Sequence, residues 1–285
     1  MNENSQPLAL ANNGWLQDAT QQLTAAGIPS PRLDAELILA HTLRKPRTYL
    51  HAHPEDFLSE REQAVADARL TLRLDRVPVA YIIGHKEFYG RRFHVTHSTL
   101  IPRPESEVLI ELLRSALPDL IKQTDGPVRL VDVGTGSGAL GITAALEFPD
   151  LTVAIVDISK HALTVAEKNT ASHHADVTPL YGDLLSSYPF EPNVVMANLP
   201  YVDPAWQRSP ETDHEPSLAL FATNNGLALI YRLLIQAHSQ LAENGIVILE
   251  ADPRQHDAIV ARAEHYGFLC ETRQDFGLLL RLVRR

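Results

Sequence analysis

The chain has 285 residues, of which 45% are hydrophobic and 21% are charged, and its formal net charge is −10. The composition is ordinary for a globular protein, and the length is a soft indication of two domains. The acidic balance argues against a nucleic-acid-binding protein, whose surface is usually basic. The single cysteine, Cys270, excludes an intramolecular disulfide and a cysteine-based metal cluster.

The first stretch of the chain, MNENSQPLALANNGW, has neither a basic region nor a long apolar core. It therefore predicts neither a signal peptide nor a membrane anchor. Together with the lone cysteine, this favours the reducing environment of the cytoplasm. We also expect no metal site, because the adjacent pair His173-His174 lies in a polar segment and offers too few ligands.

Residues 1–80 predict a helical N-terminal domain with three or four short amphipathic helices. Gly27 is a plausible helix stop, Ser30-Pro31 opens a second helix, and SERE at 59–62 is a capping box for a later one. The residues expected on the apolar faces are Trp15, Ala19, Leu23, Leu33, Leu37, Ala40, Val65, Ala68 and Leu72. No side chain in this region suggests catalysis, so we interpret it as a scaffold or a substrate-docking domain.

Residues 81–104 predict a β-hairpin linker, because Gly84 and Gly90 separate segments rich in β-forming residues. Basic residues dominate this linker, with one acidic residue against them: Lys86, Arg91, Arg92 and Arg103, against Glu87. Pro102 and Pro104 stiffen the entry to a helix expected from about Glu105 to Leu117.

From residue 105 to 285 strands alternate with helices, which predicts an α/β domain with a doubly wound, mostly parallel, seven-stranded sheet. The expected strands are Val128–Val133, Val153–Asp157, Val177–Tyr181, Val194–Ala197, Ile246–Ala251 and the segments FLCETRQ and GLLLRLVRR. The expected helices are Ala139–Glu147, Lys160–Thr170, Leu227–Leu241 and Gln255–Tyr266. The last two strands form an antiparallel hairpin, which is unusual for a dinucleotide-binding dehydrogenase.

A glycine-rich loop follows the first of these strands in VDVGTGSGALG. Gly134, Gly136 and Gly138, with Thr135 and Ser137 between them, would let a ligand lie against the backbone at a helix N-terminus. Asp157 ends the next strand, where a carboxylate can accept both hydroxyls of a ribose. The pattern predicts an adenosine-containing cofactor without deciding which one. Asp183 in YGDLL follows a short strand and is a candidate for the adenine edge.

The tetrapeptide NLPY, Asn198 to Tyr201, follows a buried strand at the same edge of the predicted sheet. Asn198 Oδ1 and the Leu199 carbonyl are two acceptors that could hold both N–H hydrogens of a planar amide or amino group. Pro200 fixes φ, and Tyr201 offers a ring face for stacking. We interpret NLPY as a clamp for a planar nitrogen that receives a methyl group.

VDVGTGSGALG, Asp157, Asp183 and NLPY together resemble the motifs of class I methyltransferases that use S-adenosyl-L-methionine and modify planar nitrogens. EFYGRRFHV, LIPRPESE and HEPSLALFATNNGLALIYRLL, behind a helical N-terminal domain, narrow the resemblance to the HemK/PrmC family of peptide chain release factor N5-glutamine methyltransferases. The resemblance covers nearly the whole chain from about residue 10.

The resemblance implies roles for individual positions. Gly134, Thr135, Gly136, Ser137, Gly138 and Asp157 would hold the cofactor, Asp183 and Leu184 would flank its adenine, and Asn198 would also lie beside it. Asn198, Leu199, Pro200 and Tyr201 would hold the substrate glutamine, while Phe88, Arg103 and Glu105 would wall the site. The implied partners are class 1 release factors, methylated at the glutamine of their Gly-Gly-Gln motif, with S-adenosyl-L-homocysteine as the second product.

Leu199 departs from the family, which usually has Pro at this position, and the lost stiffness is worth about 0.5–1 kcal/mol. Other hypotheses stay open at this point. A glutamine methyltransferase of a ribosomal protein would share every motif, and an adenine-N6 methyltransferase would use the same clamp on a flipped base. A nicotinamide-dependent dehydrogenase shares the glycine loop alone. A cofactor-binding scaffold without activity would be consistent with Leu199.

Overall fold

The computed structural model describes residues 10–283, so most of the N-terminal stretch and the last two arginines lie outside the described residues. The chain forms two compact units. The first runs to Gly84 and includes the segment Pro210–His214; the second comprises His85–Ser209 and the chain from Glu215 onward. The first unit therefore extends past residue 80 and includes Pro210–His214, which is distant in sequence.

The first unit is helical, with α1 Asn12–Ala25, α2 Pro31–Leu43, α3 Arg47–Ala52, α4 Glu60–Leu74 and α5 Val79–Ile83. Its ends follow the sequence signals. Gly27 has a φ of 68° just after α1, Pro31 opens α2, and Ser59 and Glu62 form the predicted capping box. Trp15, Ala19 and Leu23 are buried as expected.

The predicted apolar faces of α2 and α4 are partly wrong. Leu33, Val65 and Leu72 are exposed, as is Ala68. The buried face of α4 carries Arg73, whose Nε lies 2.8 Å from an oxygen of the buried Asp34. Hydrophobic periodicity assigns every charged residue to solvent. Because Arg73 is buried by its ion pair with Asp34, the buried face of α4 differs from the face predicted from the apolar residues.

Only part of the 81–104 segment forms the predicted hairpin. Pro78 precedes α5, so residues 81–83 are helical, and Gly84 ends the helix with a φ of 75°. The antiparallel strands β1 His85–Phe88 and β2 Arg91–His94 follow. The β-branched isoleucines of α5 favoured a strand, but they lie in a short helix that Pro78 precedes and Gly84 ends.

The second unit contains the predicted α/β sheet. Its helices are α6 Glu107–Gln123, α7 Ala139–Glu147, α8 Lys160–His173, α9 Ser217–Leu220, α10 Ala228–Gln240 and α11 His256–His265. Its strands are β3 Arg129–Val133, β4 Thr152–Asp157, β5 Val177–Tyr181, β6 Val194–Ala197, β7 Ile246–Glu250, β8 Phe268–Gln274 and β9 Gly277–Leu282. Helix α6 continues beyond the expected end at Leu117 and contains Pro118.

In the described part of the chain the sheet has seven strands in the order β5-β4-β3-β6-β7-β9-β8. The first five are parallel, and β9 pairs antiparallel with both β7 and β8, which confirms the predicted fold class. The chain moves outward from β3 to β5 and then returns to place β6 on the other side of β3. Ligands of such sheets bind at this switch point, outside the carboxyl ends of the strands.

Alternating side chains of the sheet supply two cores. On one face Val131 and Val133 of β3 pack with α10 and α11, and on the other Leu130 packs with α6 and α7. Because both faces are covered, the central strands are buried along their length. The core thereby fixes where each strand ends, and with it the loops that follow. No helix among residues 10–283 is long and apolar enough to cross a membrane.

Candidate active site

A cleft of about 290 Å³ lies at the switch point, within the second unit. The predicted site residues that line it are Phe88, Gly134, Thr135, Gly136, Ser137, Asp157, Asp183, Leu184, Asn198, Leu199 and Pro200. Four predicted residues, all within the described chain, do not line it: Gly138, Tyr201, Arg103 and Glu105. The cleft thus brings the glycine loop and most of the clamp to one cavity.

The glycine loop is shaped by its backbone. Gly134 and Thr135 both donate their N–H to the Val156 carbonyl, at 2.9 and 3.0 Å. Gly134, Gly136 and Gly138 have φ values of 72°, 56° and 83°, which favour glycine. A Cβ on Gly134 would lie 2.9 Å from Leu199 Cδ2, whereas a Cβ on Gly136 would meet nothing within 4 Å. The open side at Gly136 is room in which a ligand can lie against the backbone.

Asp157 ends β4 and its carboxylate is fixed by two backbone donors. Gly136 N donates to Oδ2 at 2.9 Å, and Ser159 N donates to Oδ1 at 2.8 Å. Burial raises the pKa of Asp157, and the backbone N–H groups of Ser159, Gly136 and Ile158 oppose the shift. Since a carboxylate has about four acceptor positions, it keeps capacity for a further donor. That arrangement suits a ribose hydroxyl.

Asp132, on β3, supports the same loop and was missed by the sequence analysis. Its Oδ2 accepts from the Thr135 hydroxyl at 2.6 Å and from Gly141 N at 2.9 Å. Complete burial raises the pKa of Asp132 to about 6, against the effect of these two donors. The sequence does contain a signal for this role, because an acidic residue stands within an apolar strand two positions before the loop.

At the other end of the cleft Asp183 is not alone. Its Oδ2 accepts from Arg232 Nη2 of α10 at 2.5 Å, and both side chains are about half exposed. Leu184 beside it is buried and has a φ of 54°. Arg232 lines the cleft, yet nothing in the sequence marked it, because a solvent-facing arginine on a helix is commonplace.

The clamp begins with Asn198, at the end of β6. Its Nδ2 donates to Ser106 Oγ at 3.0 Å, and this leaves Oδ1 on the opposite side of the planar amide. Ser106, which is buried, follows the Pro102–Glu105 segment at the start of α6 and also lines the cleft. The structure therefore joins LIPRPESE to NLPY through a side-chain hydrogen bond.

Leu199 is only 3% exposed and belongs to the sheet core. Its Cδ2 is the first atom that a Cβ on Gly134 would meet, so the clamp packs directly against the glycine loop. Packing of this side chain restrains a position at which the resemblance implies a stiffening proline ring.

Tyr201 lies behind the cleft lining, and its stacking role stays a prediction. Its ring packs against the sheet core, and its hydroxyl donates to Glu250 Oε1 at 3.0 Å. Burial, and then the charge of Glu250, raise the pKa of Tyr201, so the hydroxyl keeps its proton. Glu250, at the end of β7, was not singled out from the sequence, although a carboxylate that closes a buried strand at the ligand edge is a recognisable signal.

The backbone of Tyr201 is held from the other side. Gln255 Nε2 donates to the carbonyls of Tyr201 and Asn225, at 2.9 and 2.8 Å. Gly226 has a φ of 80°, and a Cβ there would lie 1.9 Å from the Tyr201 carbonyl oxygen. The clamp therefore requires glycine at 226.

The predicted walls of the site are split. Phe88 is buried and lines the cleft. Arg103 forms an ion pair with the buried Glu215, whose other oxygen accepts from Ile101 N at 3.1 Å. Glu105 is exposed. Arg103 thus secures the entry segment instead of lining the cavity.

The parallel sheet with its antiparallel end, the glycine loop and the clamp at one switch point define a class I methyltransferase. Residues 14–84 match the PrmC N-terminal domain and residues 105–213 match the methyltransferase small domain. The chain belongs to the release factor glutamine methyltransferase family.

Curated relatives support this assignment along most of the chain. The release factor glutamine methyltransferase of Koribacter versatilis is 40% identical, over 82% of this chain and 86% of its own length. That of Coxiella burnetii is 36% identical, over 94% and 96%. Among solved structures, the T. thermophilus 16S rRNA N2 G1207 methyltransferase in complex with AdoMet and guanosine has a TM-score of 0.51. It is 16% identical and covers 70% of this chain and 50% of its own, which supports the fold alone.

Proposed function

We propose that this protein transfers a methyl group from S-adenosyl-L-methionine to the side-chain amide nitrogen of the glutamine in the Gly-Gly-Gln motif of class 1 release factors. The observation that carries the proposal is Asn198 on the cleft wall, with its NH₂ group held by Ser106. An amide oriented in this way presents an oxygen, which is what a substrate N–H requires.

The cofactor would lie along the glycine loop. The open side of Gly136, the acceptor capacity left on Asp157 and the Asp183–Leu184 corner fit the methionine, ribose and adenine parts in turn. S-adenosyl-L-methionine supplies an electrophilic methyl group on sulfur. The residues of this chain supply position: the loop backbone receives the cofactor, and the buried walls keep water from the reacting atoms.

The glutamine amide nitrogen is a weak nucleophile because its lone pair is delocalised into the carbonyl. Asn198 Oδ1 and the Leu199 carbonyl would accept its two hydrogens, fix its direction and favour the positive charge that develops during transfer. The nitrogen becomes acidic once it is methylated, so no strong base is needed in the attack. Because the substrate acts in translation, the proposed compartment is the cytoplasm.

The decisive experiment is methyl transfer from labelled S-adenosyl-L-methionine to a purified class 1 release factor. A release factor with its Gly-Gly-Gln glutamine changed to alanine is the matched control. We expect label on the first and none on the second. Label on both would place the reaction at another residue. Cofactor binding without label on either would redirect the search to ribosomal proteins and nucleic acids.

We also propose that the helical domain of residues 1–80 and the basic hairpin contact the release factor outside the pocket. Arg91 already pairs with Glu147, at 2.6 Å, whereas the Arg92 side chain is exposed on the same strand. Arg92→Glu should therefore weaken release-factor binding several-fold, as loss of a charge at the rim of an interface does. Cofactor affinity should stay unchanged. Arg44 is an exposed arginine at the end of α2, and the Arg44→Glu variant compares the helical domain with the hairpin as a contact region. An unchanged release-factor affinity for Arg92→Glu would remove the hairpin from the proposal.

A further inference from the structure

The orientation of the Asn198 side-chain amide decides whether the clamp can work. The two ends of a carboxamide have nearly the same shape, but one is an acceptor and the other a donor. If the group turned over, its NH₂ would face the N–H hydrogens of the substrate, and two donors would oppose each other. Shape alone does not select between the two orientations, so a hydrogen-bond partner has to.

Ser106 is one direct partner of the Asn198 amide. Its Oγ accepts from Nδ2 at 3.0 Å, and its side chain is 4% exposed. A serine hydroxyl can donate as well as accept, so it could equally donate to Oδ1 of a reversed amide. Ser106 therefore transmits an orientation that another group has to impose.

Glu250 is the group that can impose it. The side chain is 2% exposed, and its Oε1 accepts from the Tyr201 hydroxyl. Among the described residues, no donor lies in hydrogen-bonding geometry with Oε2. Burial raises the pKa of Glu250, and the side chains of Ser106, Tyr201 and Asn198 counteract this. A buried carboxylate oxygen without a donor is costly, and the Ser106 hydroxyl has a hydrogen that Asn198 does not use.

We propose that Glu250 and Ser106 are positioning residues that fix the orientation of the Asn198 amide. In its ionised form the Glu250 carboxylate can only accept hydrogen bonds, and the Ser106 hydroxyl then turns its hydrogen to Glu250. Its oxygen is then an acceptor towards Asn198, which must direct Nδ2 at Ser106 and Oδ1 at the cleft. This inference rests on the proposed function, because it concerns the acceptor that receives the substrate amide.

Glu250→Gln is the sharpest variant. The glutamine has the shape of the glutamate, and its oxygen can still accept from Tyr201. Its NH₂ then faces Ser106, reverses the hydroxyl and favours the wrong orientation of Asn198. We expect kcat to fall about 10- to 100-fold, as when a group behind a positioned ligand is removed. Cofactor affinity should stay within about twofold, the tolerance expected of a site whose own contacts are intact. Glu147→Gln, which changes a glutamate paired with Arg91 outside the cleft, should keep wild-type kcat.

Ser106 variants separate a relay from two independent structural effects. Ser106→Ala should also lower kcat, and Ser106→Thr, which keeps the hydroxyl, should restore most of it. In the Ser106→Ala background, Glu250→Gln should lower kcat by less than it does alone, since its route to Asn198 through Ser106 is already broken. Effects that multiply in the double variant would overturn the proposal, as would wild-type kcat for Glu250→Gln.

A second readout needs no substrate. The side-chain amide resonances of Asn198 can be assigned in an NMR spectrum of the ¹⁵N-labelled protein by their loss in Asn198→Ala. Both Glu250→Gln and Ser106→Ala should shift them, while Glu147→Gln should not. If they stay in place in both variants, the relay is absent. A wild-type protein that fails to methylate any release factor would refute the proposed function instead, and the resonances would still test the relay.

Discussion

The glycine loop and the clamp face each other across one cleft, but they are held in different ways. The loop is fixed mainly through its backbone, by hydrogen bonds to Val156, by glycines with positive φ and by donation to two carboxylates, on β3 and β4. The clamp is fixed by side chains from three other segments, namely Ser106, Glu250 and Gln255. A cofactor loop that is held mainly through its backbone tolerates most side-chain changes elsewhere, whereas an amide clamp that depends on distant side chains can be disabled one partner at a time.

The largest effect is expected for Asn198→Ala, which should disable the clamp and leave the glycine loop intact. Asn198→Ala should raise the barrier to methyl transfer by roughly 2–4 kcal/mol, because one preorganised acceptor is lost. Single-turnover methylation of a release factor measures this loss, and cofactor titration should give an affinity close to that of wild type. Gln274→Ala, at an exposed amide side chain of β8 outside the cleft, is the control. Wild-type turnover in Asn198→Ala would mean that the clamp does not hold the reacting amide.

The same division explains what the sequence could predict. Strand and helix periodicity, with the local signals of glycine, proline and the capping box, was sufficient for the parallel sheet and the glycine loop. The supports of the clamp could not be found in this way, because Ser106, Glu250 and Asn198 are brought together only by the strand order β6-β7 and the position of α6. The inner face of α4 failed for a related reason, since Arg73 is buried by its partner Asp34, which lies on another helix.

The second prediction concerns Asp132, the buried carboxylate that supports the glycine loop. The pKa of Asp132 is about 6 in the folded protein, against an ordinary 3.8. The folded state therefore holds this proton more tightly, and the free energy of unfolding falls as the pH rises from 3.8 through 6. The full difference is about 3 kcal/mol, and roughly half of it lies between pH 5 and 7.

Asp132→Asn should remove that slope. Both Thr135 and Gly141 donate to the same oxygen, Oδ2, so an asparagine oxygen in its place can keep both bonds. Urea unfolding of wild type and variant at several pH values measures the difference between their stabilities. The wild type should lose stability relative to the variant as the pH rises. Parallel pH profiles would show that Asp132 titrates normally in the folded protein.

The smallest expected effect concerns the Asp183–Arg232 pair at the adenine end. Both side chains are about half exposed, so breaking the pair should change the free energy of unfolding by less than about 1 kcal/mol, and salt should reduce even that.

The Asp183–Arg232 pair is better tested through cofactor affinity. If Asp183 accepts from the adenine amino group, Asp183→Asn should weaken binding about five- to tenfold, the worth of one hydrogen bond. Arg232→Gln removes a competitor for the same carboxylate, so it should not weaken binding. Equal weakening in both variants would mean that the ion pair itself forms the wall of the adenine site. The comparison would then change, because the cofactor half would also depend on an ion pair between two side chains that are distant in the sequence.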